Sequence, residues 1–249
     1  MGQVVDTPTA QEFMREALEK ITPGELEAVA ALCERKATLF HGVVHGAGRG
    51  ALDETALRTL FAHVFSVRRK TEALFASVDP ERLGGLIRSL VDGTEPLLDR
   101  FNSFVGALDG FDPATDLAAE ILHFTDPERF WPWARWMWDP STDTGSLRLV
   151  TMDEFDLHGA TPGEVYFRVG EAVDFVRRTG DAAGFTRIGD GTFGMDVFLA
   201  CVYGIYMYTV LRMRMTQEFN KVVPELPELS RRLLGVHRLP ADGPREGAA

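Results

Sequence analysis

Apolar residues recur along most of this chain at the three- and four-residue spacing of a helix face. Leu57, Leu60, Phe61, Val64, Phe65, Val67 and Leu74 form one such stripe, and Leu83, Leu86, Ile87 and Leu90 a second. Leu97, Leu98, Phe101, Phe104 and Val105 form a third. Helix-start signals punctuate these runs. Thr9-Ala-Gln-Glu12 and Thr22-Pro-Gly-Glu25 have the capping-box pattern, in which a hydroxyl and a carboxylate satisfy otherwise orphaned amides. Asp79-Pro80 and Asp126-Pro127 pair a cap with proline at the first helical position. The tetrapeptides TPGE (22–25 and 161–164) and DPER (79–82 and 126–129) each occur twice, but the flanking residues differ, so they do not make a repeat architecture.

These signals predict helices over 9–21, 23–45, 53–78, 80–91, 95–108, 113–124, 162–179, 193–222 and 226–235. The best strand candidate is Leu147-Arg-Leu-Val-Thr151. The fold class is therefore all-α: a multi-helix bundle around a central apolar helix at about 193–222, with at most a minor strand near 147–151. Residues 1–8 read as a flexible N-terminus, 9–237 as a single helical domain and 238–249 as a disordered tail.

The central helix raises the question of a membrane. Its charge-free run, 197–211, is 15 residues long, where a span takes ~20. It contains Gly204, Thr209 and three tyrosines, and Arg212, Arg214 and Lys221 follow without a break. A buried bundle axis is the preferred reading, with membrane insertion through 195–211 as the alternative.

Charge and composition narrow the partners. The net charge is −11 over 249 residues and is spread along the chain, so nothing supplies the basic excess that binds phosphate backbones. Nucleic acid is not an expected partner. The two cysteines, Cys33 and Cys201, stand outside any paired motif, which argues against a disulfide framework or a zinc site. The first ten residues, MGQVVDTPTA, lack a basic region followed by an apolar run, and a cytoplasmic protein is the simplest expectation.

Four segments carry candidate chemistry. Gly189-Asp-Gly-Thr-Phe-Gly194 matches GxGxxG before a long helix, but without its β-α-β frame it reads as a turn delivering Asp190 or Thr192 as a cap. His41 and His45 share a helix face with Glu34, a partial metal-ligand set with His63 a conceivable fourth. Its alternative is a solvated face. No motif implies a cofactor, and a metal ion is what this face allows. Asp153, Glu154, Asp156 and His158 lie in a long connection, where they could hold a hard cation or act as acid and base; a polar loop explains them equally.

The fourth segment is Asp126–Pro140, DPERFWPWARWMWDP, which holds all four tryptophans. Pro132 interrupts the helix begun at Pro127 and predicts a second one from 132 to 138. Trp131, Trp133, Trp136 and Trp138 then point in different directions. They are core, or with Arg135 an exposed partner-binding surface, or the aromatic wall of a ligand pocket. The string from Ile121 to Trp133 is similar to a segment of some helical DNA-repair-like proteins, where it packs around the core. The resemblance covers residues 121–133 alone. Without the glycine pattern and catalytic aspartate context of those proteins it implies no activity.

The resulting expectation is a non-catalytic accessory or scaffold subunit. It would bind a protein partner, or itself, through Trp131, Trp133, Arg135, Trp136, Trp138 and the 140–160 loop. The alternative is a metal- or cofactor-dependent helical enzyme, with Glu34, His41 and His45 as ligands and Tyr203, Tyr206 and Tyr208 lining a cavity.

Overall fold

The computed structural model describes residues 4–46, 52–183, 191–214 and 224–240. Its helices are α1 (Thr7–Leu18), α2 (Pro23–His45), α3 (Glu54–Phe61), α4 (Thr71–Ser77), α5 (Pro80–Asp92), α6 (Leu97–Ala107), α7 (Ala114–Thr125), α8 (Ser146–Val150), α9 (Pro162–Ala183), α10 (Gly194–Arg214) and α11 (Leu226–Leu233). No strand occurs among the described residues, only isolated bridges. The protein is an all-α, multi-helix fold.

Helix starts at Thr22, Asp79 and Thr161 follow the predicted chemistry, whereas Asp126-Pro127 opens only a turn. The Thr22 hydroxyl accepts from the Glu25 N–H, and the Glu25 carboxylate accepts from the Thr22 N–H at 2.8 Å. Asp79 Oδ1 accepts from the N–H groups of Glu81 and Arg82. α1 differs, because Asp6 rather than Thr9 is its cap. Asp6 Oδ1 takes the Thr9 N–H at 3.1 Å, and Asp6 Oδ2 takes the Thr9 hydroxyl at 2.7 Å. Part of the 4–8 segment also packs onto the fold. Val5 is buried and bridges Thr151, and the Asp6 N–H donates to the Val150 carbonyl.

Three predicted elements change form. The helix expected over 53–78 splits into α3 and α4. Between them the chain closes short turns, His63 N–H to Leu60 and Val64 N–H to Phe61, which allow Val64 and Val67 both to enter the core. His63 Nδ1 then meets the Gly235 carbonyl at 3.2 Å. Gly235 lies at φ +71°, and a Cβ there would strike the His63 carbonyl, so glycine is required. The strand expected at 147–151 is the short helix α8; only Thr151 pairs, with Val5. The helix expected from Pro132 to Trp138 is a single turn, Met137 and Trp138 N–H to Ala134, because the next carbonyls are taken from outside. Ser146 N–H uses that of Trp136, Leu147 N–H that of Met137, and the Trp133 indole that of Trp138.

One apolar core runs from Val5 to Val236. Two helices share its centre. In α10, every residue from Asp196 to Val202 is buried, but Tyr203 and Tyr206–Tyr208 are half-exposed. α7 is the more enclosed of the two: every residue from Asp116 to Thr125 is buried. α2 packs along α7, and α10 packs against α1, α2, α8 and α11. Among the described residues no helix is long and apolar enough to cross a membrane. The predicted extension of α10 from 215 to 222, and the tail from 241, lie outside the described residues.

Candidate functional site

A helix enclosed on all sides normally carries only apolar side chains. α7 instead places Asp116, Glu120 and His123 at i, i+4 and i+7, one above another on a single face. Each meets a partner from a different part of the chain. Arg135 donates its backbone N–H to Asp116 Oδ1 at 2.7 Å, and its guanidinium Nε lies 3.5 Å from Asp116 Oδ2. Lys36 Nζ, from α2, lies 2.5 Å from Glu120 Oε2, 2.9 Å from the Leu234 carbonyl and 3.7 Å from the Phe124 ring centroid. His123 Nε2 lies 2.8 Å from Asp196 Oδ1 of α10, and its Nδ1 lies 2.8 Å from the Phe130 carbonyl.

Burial dominates the electrostatics of this ladder. It pushes the Asp116 carboxyl up to about 7, against the pull of the Arg135 charge and backbone N–H; nearby Glu120 raises it further, and the Ser66 hydroxyl lowers it. Burial likewise raises Glu120, opposed by Lys36. For His123, burial disfavours the cation, but the charge and hydrogen bond of Asp196 prevail and raise it above the ordinary histidine value. A carboxyl that is half-neutral near pH 7 is poised to give or take a proton.

The Asp116 end of the ladder opens into a cleft of about 350 Å³, at the lower end of the ~300–1,000 Å³ usual for small-molecule sites. Asp116 and Glu120 line it with Arg135, and Trp136, Tyr203 and Tyr206 supply an aromatic wall. The Trp136 and Tyr203 rings are 6.0 Å apart, and Tyr203 and Tyr206 6.2 Å. Burial, Tyr206 and the Asp139 carboxylate raise the Tyr203 hydroxyl, so it remains a neutral phenol. Lys70 and Arg135 both pair with Asp112 at the rim, at 3.3 and 2.8 Å. The Trp136 indole N–H is enclosed and has no hydrogen-bond partner among the described residues, an arrangement that costs roughly 1–3 kcal/mol. A void of about 20 Å³ lies behind Trp136, bordered by Glu120, His123 and Asp196.

Three of the four tryptophans are core, one of the alternatives open for this segment, and the fourth is half-buried. Trp133, Trp136 and Trp138 are 4, 8 and 0% exposed. Trp133 stacks toward Phe101, and the Trp138 indole donates to Asp143 Oδ1 at 3.0 Å. Trp131 is half-buried on Tyr166, with its N–H on the Tyr166 carbonyl at 2.7 Å. Of the five residues expected to bind a partner, only Arg135 and an edge of Trp131 reach the surface in part. The turn at 126–130 and the crossing chain at 136–147 enclose the indoles from several sides, so the different directions imposed by Pro132 all lead inward.

The other predicted sites stay apart from the cleft. His41 and His45 are exposed neighbours on α2, ring centroids 4.8 Å apart; His41 Nδ1 lies 3.2 Å from the Thr125 carbonyl and His45 Nδ1 3.8 Å from Asp92. Glu34 is exposed two turns earlier, and His63 is engaged with Gly235. Among the described residues no three His, Cys, Asp or Glu side chains are grouped to hold a metal ion. Gly189 and Asp190 lie outside the described residues; Gly191–Gly194 forms a turn, and Phe193 inserts into the core against Phe124. In the 140–160 connection, Asp153 pairs with Arg148 and Asp156 with His158, both at the surface. Tyr208, expected in a cavity, donates to the Pro224 carbonyl instead.

The ladder went unpredicted, although signals for it exist. In α2 the apolar stripe Leu26, Val29, Cys33, Phe40, Val44 passes through position 36, where it meets a lysine. The predicted helix 113–124 is strongly apolar, with its three charged or titratable residues on one face. A lysine at a core position and acids in an apolar helix are complementary anomalies. Comparison with family models, with curated proteins and with solved structures finds no match to this chain.

Proposed function

We propose that the protein binds a small molecule in the α7 cleft and that Asp116 exchanges a proton with it. The observation that carries this reading is a nine-tenths-buried carboxyl, brought to about 7, on the floor of an aromatic-walled cleft. Strongly perturbed acids in concave sites are candidates for acid–base work. Tyr203 and Tyr206, two of the three tyrosines expected in a cavity, belong to this wall, and the buried Lys36–Glu120 and His123–Asp196 pairs hold α7 rigidly beneath it.

The docking reading is less well supported. A scaffold that binds its partner through Trp133, Trp136 and Trp138 needs those side chains at the surface, and they are buried. What remains for a partner is Arg135, the exposed 153–158 loop and an edge of Trp131 beside the exposed Phe167 ring, 5.4 Å away. The metal-dependent reading has only the His41–His45 pair in its favour.

The test is a carbon-detected titration of the Asp116 carboxyl, combined with a small-molecule screen read by chemical shifts. The expected result is a midpoint near neutrality that moves when a ligand occupies the cleft. An Asp116 that titrates like an exposed aspartate, with no fragment perturbing Trp136 or Tyr203, would sink the reading.

A further inference from the structure

Asp and Glu outnumber Lys and Arg in this chain, 37 to 26. Arginines elsewhere use that excess: Arg58 pairs with Glu54 and Glu72, and Arg148 with Asp143 and Asp153. Beside the end of α11 the pattern stops. The turns at 62–70 carry Arg68 and Arg69, and the chain leaving α11 carries His237 and Arg238.

Local contacts close these two segments on each other. The N–H groups of Val236 and His237 donate to the Arg231 carbonyl at 2.9 and 3.2 Å and turn the chain back from α11. The Gly235 carbonyl then meets His63 Nδ1 at 3.2 Å, and Arg68 Nη1 reaches His237 Nε2 at 2.7 Å. The Arg68 guanidinium also lies 5.1 Å from the Phe65 ring centroid. An arginine only donates, so His237 is the acceptor and its ring is neutral. Arg68 is thus fixed by an imidazole and a phenyl ring, neither of which cancels its charge.

Arg69 and Arg238 are exposed and make no hydrogen bond or ion pair among the described residues. Burial lowers Arg68 below the ordinary arginine value, and the charges of Arg69, Arg238 and Arg232 lower it further, with no carboxylate opposing them. Burial and the charges of Arg68 and Arg238 likewise lower His237; Glu228 opposes them while itself paired with Arg232 at 2.7 Å. Like charges gathered in this way repel, a cost that an anion among them removes. We propose that Arg68, Arg69 and Arg238 form a binding site for a phosphate group, free or carried on a small ester, with His237 and Phe65 holding Arg68 in place. Guanidinium forks suit tetrahedral oxyanions, and a dianion answers several of them where a lone carboxylate answers one. A nucleic-acid backbone needs a longer series of cations, and the net charge of −11 opposes it.

Sodium phosphate and phenyl phosphate serve as probes on the full chain in mildly alkaline solution, against sodium chloride at matched ionic strength. Binding is read from the ring resonances of His237, assigned with His237→Gln. Phosphate is expected to move them saturably, and chloride is not. Arg69→Gln and Arg238→Gln, at exposed positions that leave the fold intact, should each weaken phosphate binding ~five- to ten-fold, the effect of one exposed charge-assisted hydrogen bond. Arg238→Lys keeps the charge and should restore part of the loss. Tighter binding of phenyl phosphate identifies an ester whose carrier lies against Phe65; equal binding identifies the phosphate group alone as sufficient. A response to phosphate no different from that to chloride overturns the site and leaves only a counterion atmosphere. Saturable binding that survives the loss of both Arg69 and Arg238 overturns it as well. Asp116 is not part of this cluster, so neither result bears on the cleft.

Discussion

The Lys36 ammonium and the Glu120 carboxylate meet at 2.5 Å between α2 and α7, with both side chains buried. The same ammonium donates to the Leu234 carbonyl just beyond α11 and lies over the Phe124 ring. One charged group thereby fixes three elements relative to one another. Pairing inside a low-dielectric core offsets a desolvation cost that neither partner could bear alone.

Lys36→Met or Glu120→Leu, made singly, leaves a buried charge without its partner, and each is expected to cost about 3–5 kcal/mol of stability. The double variant removes both charges and is expected to recover most of that loss. Urea denaturation of the four proteins completes the cycle. Additive losses would show that the two residues act independently.

The pH dependence follows from the same ladder. Asp116 has a folded value of about 7 against an ordinary 3.8, and Glu120 is also raised, so the folded state binds more protons than the unfolded chain above about pH 4. Stability therefore falls as pH rises from about 4 toward 7. His123, raised by Asp196, adds stability that is present below its ordinary value and lost as pH climbs through its folded one. Surface carboxylates held low by partners, such as Glu72 with Arg58, act the other way below about pH 4. The melting temperature should peak in mildly acidic solution and drop by pH 8, and Asp116→Asn should flatten the decline between pH 5 and 7. A maximum above pH 8 would contradict this.

The helices were largely legible because capping chemistry is local. Thr22, Asp79 and Thr161 each sit within four residues of the amides or carboxylates they engage. The split at 62–70 was not, because the turn there packs against Gly235, far away in the sequence. The burial of the Trp segment was illegible for the same reason: it depends on Asp143 and on the first residues of α8, which accept from it or donate to it. The cleft was legible only in fragments, as a tyrosine run and an arginine among indoles. Its floor is formed by side chains on α7, and the three charge partners come from α2, α10 and the Trp segment.

Metal binding separates the remaining alternative. His41 and His45 lie side by side, but Glu34 stands two turns away and, among the described residues, no set of three ligands is grouped to hold a metal ion. Stoichiometric metal in purified protein is not expected, nor is a change in melting temperature with a chelator. Metal at one equivalent that is lost on His41→Ala would restore the metal-dependent reading.

Gly170 and Trp131 give a test of the aromatic packing. Trp131 stacks on Tyr166 with ring centroids 4.6 Å apart. Its N–H donates to the Tyr166 carbonyl, and the Tyr166 hydroxyl donates back to the Trp131 carbonyl at 3.0 Å. The indole lies so close over Gly170 that a Cβ would overlap its fused ring edge. Gly170→Ala therefore pits the intrinsic helical gain of alanine, roughly 0.5–1 kcal/mol, against displacement of a ring held by its N–H bond to the Tyr166 carbonyl. Overpacking of this kind costs about 1–3 kcal/mol, so a net loss is expected. Trp131 should move toward solvent, with red-shifted emission and easier quenching by iodide. Trp133, Trp136 and Trp138 are buried and should keep their contribution unquenched. A Gly170→Ala protein as stable as the wild type, with unchanged emission, would mean that the ring does not occupy this seat.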